Sequence, residues 1–253
     1  MPEIEVIKHG PVTVIQLNRP EVRNAINVKT AQLLREAWQV FDEDETARVG
    51  ILTGGDSVFC AGADLNDVEN LMKDADQGPG PLGIGRMSVS KPTIAAVAGY
   101  AVAGGFELAL WCDLCIVDET ATFGFFERRF GVPMLNGGSQ RLPQIVGLRR
   151  ALDIVLTGRA VNAEEAYRIG LASELVPEGA AFSRAMELAT YLASVPQVCL
   201  KNDRRAVYSG IDVELAAGLQ IEAIIASETI ASGEPFAGAT QFQSGKGRGG
   251  KID

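Results

Sequence analysis

Ala98-Gly99-Tyr100-Ala101-Val102-Ala103-Gly104-Gly105-Phe106-Glu107-Leu108-Ala109-Leu110-Trp111-Cys112-Asp113 is the stretch on which the reading of this chain turns. A glycine pair leads straight into a helical pattern whose residues are almost all apolar, with a single carboxylate, Glu107, inside it. Burying an ionised carboxylate without partners is expensive, so Glu107 is either satisfied by backbone and a nearby Arg or is a functional acid. The glycines also carry two readings. At a helix start, free N–H groups and the positive end of the macrodipole favour negative charge, and glycine lets a ligand approach closely enough for these groups to hold an oxyanion. The alternative is a tight turn or close helix packing.

Outward from this stretch the chain alternates strands and helices. Ile4 to Lys8 and Val12 to Leu17, separated by His9-Gly10-Pro11, read as a β-hairpin. Residues 28 to 42 switch to a helical period with Ala31, Leu34, Trp38 and Phe41 on one face. Val49 to Thr53 is a short, almost wholly apolar run, the pattern of a strand buried on both faces. Further strands are expected at Thr93 to Val97, Leu114 to Val117 and Ala172 to Val176. The alternation argues for an α/β fold with parallel pairing. Asp76 to Gly85 is rich in Gly and Pro and reads as a mobile loop at which substrate enters. Asn162 and first-turn acids open a helix that Gly170 closes. From about Ala180, three helical segments are expected, with Pro196 and Pro235 as breaks and a frayed Gly-rich end. The organisation is therefore a core over residues 1–190 and a helical appendage over 191–253.

Composition narrows the chemistry. The 253 residues carry 32 acidic and 23 basic side chains, a formal charge of −9 that lacks the basic footprint of extended nucleic-acid binding. The single histidine, His9, falls in the hairpin turn, which disfavours a Ser/His/Asp or Cys/His engine. Cys60, Cys112, Cys115 and Cys199 include one C-x-x-C without a second pair or histidines, so free buried thiols are expected rather than a metal site. Such thiols fit a reducing compartment. The acidic start and the lack of an apolar run of about 20 residues point to a cytoplasmic protein with no membrane span. A second carboxylate, Glu127, ends the aromatic run Phe123-Gly124-Phe125-Phe126; its surroundings are apolar unless Arg128 and Arg129 pair with it.

The order of several short motifs resembles the crotonase superfamily, best known for enoyl-CoA hydratases and isomerases. They are Asn18-Arg19-Pro20 with Asn24 to Asn27, Phe59 to Leu65, Ala95 to Asp113, Phe123-Gly124 with Glu127, Gly137 to Pro143, and Leu156 to Arg159. The resemblance covers residues 3 to 177 strongly and implies a spiral of ββα turns with a C-terminal helical appendage. It implies an oxyanion hole made by the backbone N–H groups of Ala63 and Gly104, with Glu107 and Glu127 on the two catalytic glutamate positions of hydratases. The implied reaction is reversible syn addition of water to a trans-2-enoyl-CoA, with no metal or redox cofactor and with CoA entering as part of the substrate. Arg23, Ala25, Ala61, Ala63, Asp64, Leu65 and Gly104 fall on segments that contact the acyl-CoA. The resemblance further implies C-terminal helices that trimerise, as a homo-trimer or a dimer of trimers.

The chain departs from the family pattern at three places. Ala103 replaces the first glycine of a triplet, Asn136 stands where a smaller residue is usual, and Phe125-Phe126 are bulky enough to narrow the acyl pocket. Asn136 is expected to meet the acyl group or water, or else to cap the helix at Gly137. Lys246 and Arg248 either reach the CoA phosphates or lie in a solvated tail. In Gln220 to Ile230, Ile221, Ile224, Ile225 and Ala226 suit packing either internally or across an interface. Three functions fit these residues: a two-glutamate hydratase, an isomerase or related acyl-CoA enzyme using one glutamate, and a non-catalytic acyl-CoA or RNA-associated subunit.

Overall fold

The computed structural model describes residues 2–73 and 75–247. The chain divides into two compact units, Met1–Ala193 and Ser194–Asp253. The first contains two sheets. A six-stranded sheet runs in the order β1 (Ile4–His9), β2 (Val12–Leu17), β3 (Val49–Thr53), β5 (Thr93–Val97), β7 (Leu114–Asp118) and β10 (Glu174–Val176). A four-stranded sheet runs β4 (Val58–Cys60), β6 (Tyr100–Val102), β8 (Thr122–Gly124) and β9 (Val161–Asn162). The β1–β2 hairpin is antiparallel, with Ile4 opposite Leu17 and His9 opposite Val12, and the large sheet is parallel from β2 onward.

The two sheets are wound together by the chain itself. Each of the pairs β3/β4, β5/β6 and β7/β8 gives its first strand to the large sheet and its second to the small one. Helices α2 (Val68–Met72), α3 (Gly104–Trp111) and α4 (Gly138–Val146) follow those pairs in turn. This repetition is a spiral of ββα turns. The apolar runs are explained by burial on both faces. Val12, Val14, Val49, Ile51, Ile94, Ala96 and Ile116 pack against Ala185, Ala189 and Ala193 of α7 (Ala181–Ser194), whose alanine stripe admits a close approach. On the opposite face, Ile15, Leu52, Ala95, Val97 and Val117 meet a second cluster that includes Leu34, Trp38 and Phe41 of α1 (Val28–Glu43). The Asn27 side chain accepts from the Thr30 N–H to start α1. Buried Lys91 ends it by donating to the carbonyls of Phe41 and Asp44.

Two more helices, α5 (Leu148–Thr157) and α6 (Ala163–Arg168), complete the first unit. Asn162 caps α6 by accepting from the Glu165 N–H. The short strands β4, β6, β8 and β9 went unread in the sequence, and β10 begins two residues later than expected. The loop at 76–85 is only partly open. Leu82 and Ile84 are buried, and the Arg86 guanidinium gathers the carbonyls of Ala75, Gln77 and Leu135. Its second half is therefore packed down, because two apolar side chains point inward. The second unit holds α8 (Gln197–Ser209), α9 (Leu215–Ala231) and α10 (Glu234–Gln243). With α7 this makes four helices among the described residues rather than three. The extra break falls after Gly210, while Pro235 sits in the first turn of α10, where its missing N–H is harmless. No helix among the described residues is long and apolar enough to cross a membrane.

Gly50 in β3 is required by Trp38. A Cβ there would lie 2.5 Å from Trp38 Cζ3 and 3.1 Å from Phe41 Cζ. Gly50→Ala is expected to destabilise by about 1–3 kcal/mol through overpacking, measured by denaturant unfolding. An unchanged midpoint would contradict the tight α1–β3 contact.

Candidate active site

The site is built where β4 ends, where β6 turns into α3, and where β8 runs into the segment preceding α4. Asn24, buried and at φ +54°, fixes the first wall. Its Nδ2 donates to the carbonyls of Gly54, Val58 and Phe59 at 2.9, 2.9 and 3.2 Å, and its Oδ1 accepts from the Arg19 N–H at 2.9 Å. This holds residues 23–26 beside 61–64. The Ala61 N–H donates to Arg23 O at 3.0 Å, the Ile26 N–H to Gly62 O at 2.8 Å and the Asp64 N–H to Ile26 O at 2.7 Å. Ala63 faces Ile26 in this short parallel bridge, so its own N–H points away from the bridging partner.

Opposite stands the start of α3. The Ala103 N–H donates to Gly124 O at 2.8 Å, and Ala103 adopts φ +53°, ψ −127°, a region L-residues rarely occupy. The family's glycine would sit there without strain. That turn brings Gly104 against Gly62: a Cβ on Gly62 would lie 2.8 Å from Gly104 N, and one on Gly104 would lie 3.5 Å from Gly62 Cα. The N–H groups of Ala63 and Gly104 thus lie on closely approaching backbone segments, and the latter belongs to the first turn of a helix, where N–H groups lack an intrahelical partner. Leu82 closes over the Gly104 Cα, its Cδ1 only 2.3 Å from where a Cβ would be.

One turn along α3, Glu107 is almost completely buried. Its Oε1 accepts from the backbone N–H groups of Asn136 and Gly138 at 2.9 Å each, and its Oε2 from Asn136 Nδ2 at 3.1 Å. The satisfied-by-backbone reading is therefore right about its partners, but no arginine is among them. Glu127 lies in a short 3-10 helix, Phe126–Phe130, closed by Gly131 at φ +76°. Its Oε2 is buried and has no hydrogen-bond partner. Burial pushes this carboxyl up to about 7; the charge of Glu107 adds to the rise, and a hydrogen bond from its own backbone N–H partly offsets it. The two arginines beside it do not pair with it. Arg128 donates to Leu156 O, and Arg129 donates to Gly158 O with its guanidinium over the Phe126 ring.

Other sequence-predicted residues divide in two. Arg23 and Leu65 are exposed beside the first wall, Ala25 is buried and Ala61 half-buried. Asp64 is buried, its Oδ2 bound by Arg19 Nη2 at 3.0 Å and its Oδ1 by the Asn66 N–H at 3.0 Å. Phe125 stacks on Phe106 with centroids 4.6 Å apart and is a core ring, whereas Phe126 covers Gly124 and is half-buried. Asn136 does not cap α4, whose N-cap is Gly137 without a side-chain bond. It spends its amide on Glu107 and on the Leu82 N–H, which donates to Oδ1 at 3.0 Å. Leu82 was missed in the sequence, where an isolated leucine in a Gly/Pro stretch carries no signal. Lys246 is exposed after α10, and Arg248 lies outside the described residues. A cleft of about 260 Å³ opens between α1, α2 and residues 75–83, with Gln32, Arg35 and Lys73 on its walls.

The ββα spiral brings the segment of Ala63 close to Gly104 at the start of α3, with Glu107 one turn further on and Glu127 near enough to feel its charge. The family model described as enoyl-CoA hydratase/isomerase matches residues 8–246, and the chain belongs to this family. A probable enoyl-CoA hydratase of Mycobacterium tuberculosis is 36% identical over 233 residues, covering 91% of each chain. The mitochondrial enoyl-CoA hydratase of Pongo abelii is 34% identical over 245 residues, 93% of this chain and 82% of that one. Among solved structures, an enoyl-CoA hydratase from Mycobacterium marinum superposes with a TM-score of 0.91 at 33% identity, covering 96% of both chains.

Because the Glu127 carboxyl titrates near 7 in the fold and near 4.5 outside it, ionising it lowers stability as pH rises between those values. Glu127→Gln is expected to be more stable than wild type at pH 8 by about 1–2 kcal/mol, after allowing for solvent screening, with the gain vanishing near pH 4. Thermal unfolding at both pH values checks this; equal gains at the two would contradict it.

Proposed function

We propose that the chain is an enoyl-CoA hydratase, adding water reversibly and with syn geometry across a trans-2-enoyl-CoA to give a 3-hydroxyacyl-CoA. The observation that carries the reading is the unequal environment of the two carboxylates: Glu107 meets only hydrogen-bond donors, while Glu127 keeps an unpartnered oxygen and is pushed up to about 7. Environments that separate two acids in this way assign one the base role and the other the acid role. The thioester oxygen would lie between the N–H groups of Ala63 and Gly104, drawing electron density from Cβ. Glu107 takes a proton from water as its oxygen bonds to Cβ, and Glu127 delivers its proton to Cα as the enolate collapses. Proton exchange with solvent then resets the pair, which titrates as a coupled unit.

No metal or redox group takes part in this scheme, and CoA is present only as part of the substrate. Arg23, Ala25, Ala61 and Leu65 frame the CoA side. The three buried, free thiols at Cys60, Cys112 and Cys115 suit a cytoplasmic setting. Assembly as a homo-trimer or dimer of trimers is supported by the second unit's exposed Leu215, Leu219, Ile224, Ile230, Phe236 and Phe242, an apolar surface of the kind that partners cover. In α9 only Ile225 and Thr229 are buried; Ile224 and Ala226 remain outside.

The test follows the conjugated-thioester absorbance of trans-2-butenoyl-CoA. Hydration should abolish it, and Glu107→Gln and Glu127→Gln should each slow the loss by roughly 10²–10⁴-fold. Full activity in either variant would overturn the two-carboxylate mechanism, and conversion of a 3-enoyl-CoA without any hydration would replace it with isomerisation on one glutamate. For the wild type, kcat/KM for hydration should fall as pH rises through about 7, because the acid that supplies Cα then loses its proton.

A further inference from the structure

Asn136 is buried and touches two parts of the site that are far apart in sequence. The backbone N–H of Leu82 can only donate, so the amide oxygen must face it, at 3.0 Å. That fixes the amide orientation and directs Nδ2 at Glu107 Oε2, 3.1 Å away. Residues 80–85 are wrapped on the same side chain: a Cβ on Gly80 would lie 3.0 Å from Asn136 Oδ1, and one on Gly85 would lie 2.5 Å from both Asn136 Cα and Cβ. Arg141 makes a second tie, donating to Asn136 O and Gly85 O at 2.8 Å each. At the middle of this loop Leu82 rests on Gly104, the oxyanion-donor position.

We propose that Asn136 is a positioning residue that couples the seating of residues 80–85 over Gly104 to the orientation of the Glu107 carboxylate. This rests on the reading of Glu107 as an acid–base group. The amide has two ends, one committed to the loop and one to the carboxylate, so displacing the loop also removes the donor that aligns Oε2. The linkage is reciprocal: loss of the carboxylate frees the amide and loosens the loop. Glu127 of the 3-10 helix lies near enough to feel the charge of Glu107, and Arg141 of α4 is bound to the carbonyls of Asn136 and Gly85.

Three variants of the full chain separate this role from simple packing. Asn136→Asp keeps an acceptor for the Leu82 N–H but turns an oxygen towards Glu107. Its loop should retain wild-type amide-exchange protection, while the acid limb of kcat/KM moves up by about one pH unit or more, because two carboxylates now face each other. Asn136→Ala removes both links. It should speed exchange across 80–85 at least tenfold and lower kcat by roughly 10–100-fold while changing KM by less than about threefold, the signature of misalignment rather than lost binding. Glu107→Ala should speed exchange in the same loop, a readout that needs no activity.

Unchanged loop exchange in Asn136→Ala and Glu107→Ala would overturn the coupling. So would a raised KM with unaltered kcat in Asn136→Ala, or a wild-type pH profile in Asn136→Asp. A wild-type enzyme that hydrates no enoyl-CoA would instead refute the catalytic reading, leaving the exchange measurements to decide the linkage alone.

Discussion

Everything at the site depends on two backbones approaching more closely than side chains would allow. Gly62 ends the segment after β4 and Gly104 begins α3, and a methyl group on Gly62 would lie 2.8 Å from Gly104 N. The approach is imposed by the spiral. Successive strand pairs alternate between the two sheets, so β4 and β6 are neighbours in the small sheet although about 40 residues separate them in the chain. The cost is visible at Ala103, held at φ +53° so that α3 starts where it must. Under the proposed function, the N–H groups of Ala63 and Gly104 on this scaffold would meet developing negative charge without reorganisation.

The two carboxylates differ because the fold gives them different amounts of company. Glu107 is deeper, yet it accepts two backbone hydrogen bonds and one from an amide, so its oxygens are satisfied. Glu127 is less buried and still worse off, since Arg128 and Arg129 are committed to the carbonyls of Leu156 and Gly158. The difference in hydrogen-bond supply makes two identical side chains candidates for opposite roles.

Much of this was legible in the sequence wherever the physics is local. The apolar run of β3 announced a strand covered on both faces, Ala31, Leu34, Trp38 and Phe41 announced the buried face of α1, and Asn162 announced a cap. The small sheet was not legible, because strands of two or three residues are too short to show a period and exist only through their parallel partners. The same limit applied at the site. Glu107, Glu127 and Gly104 stood out by their surroundings in the chain, and the motif order supplied Ala63. The bonds of Asp64 to Arg19 and of Asn136 to Leu82 were not legible, because those partners lie 45 and 54 residues away. Nothing in a neighbouring residue marks a side chain whose role is to bridge two distant loops.

The central claim is that the N–H groups of Ala63 and Gly104 polarise a thioester carbonyl placed between them. Difference infrared spectroscopy of an enoyl-CoA labelled with carbon-13 at the carbonyl, bound to the Glu107→Gln variant so that no turnover intervenes, reads that polarisation directly. The account predicts a carbonyl stretch shifted to lower frequency on binding, with the conjugated double bond weakened in step. A bound thioester whose carbonyl stretch stays at its position in water would contradict it.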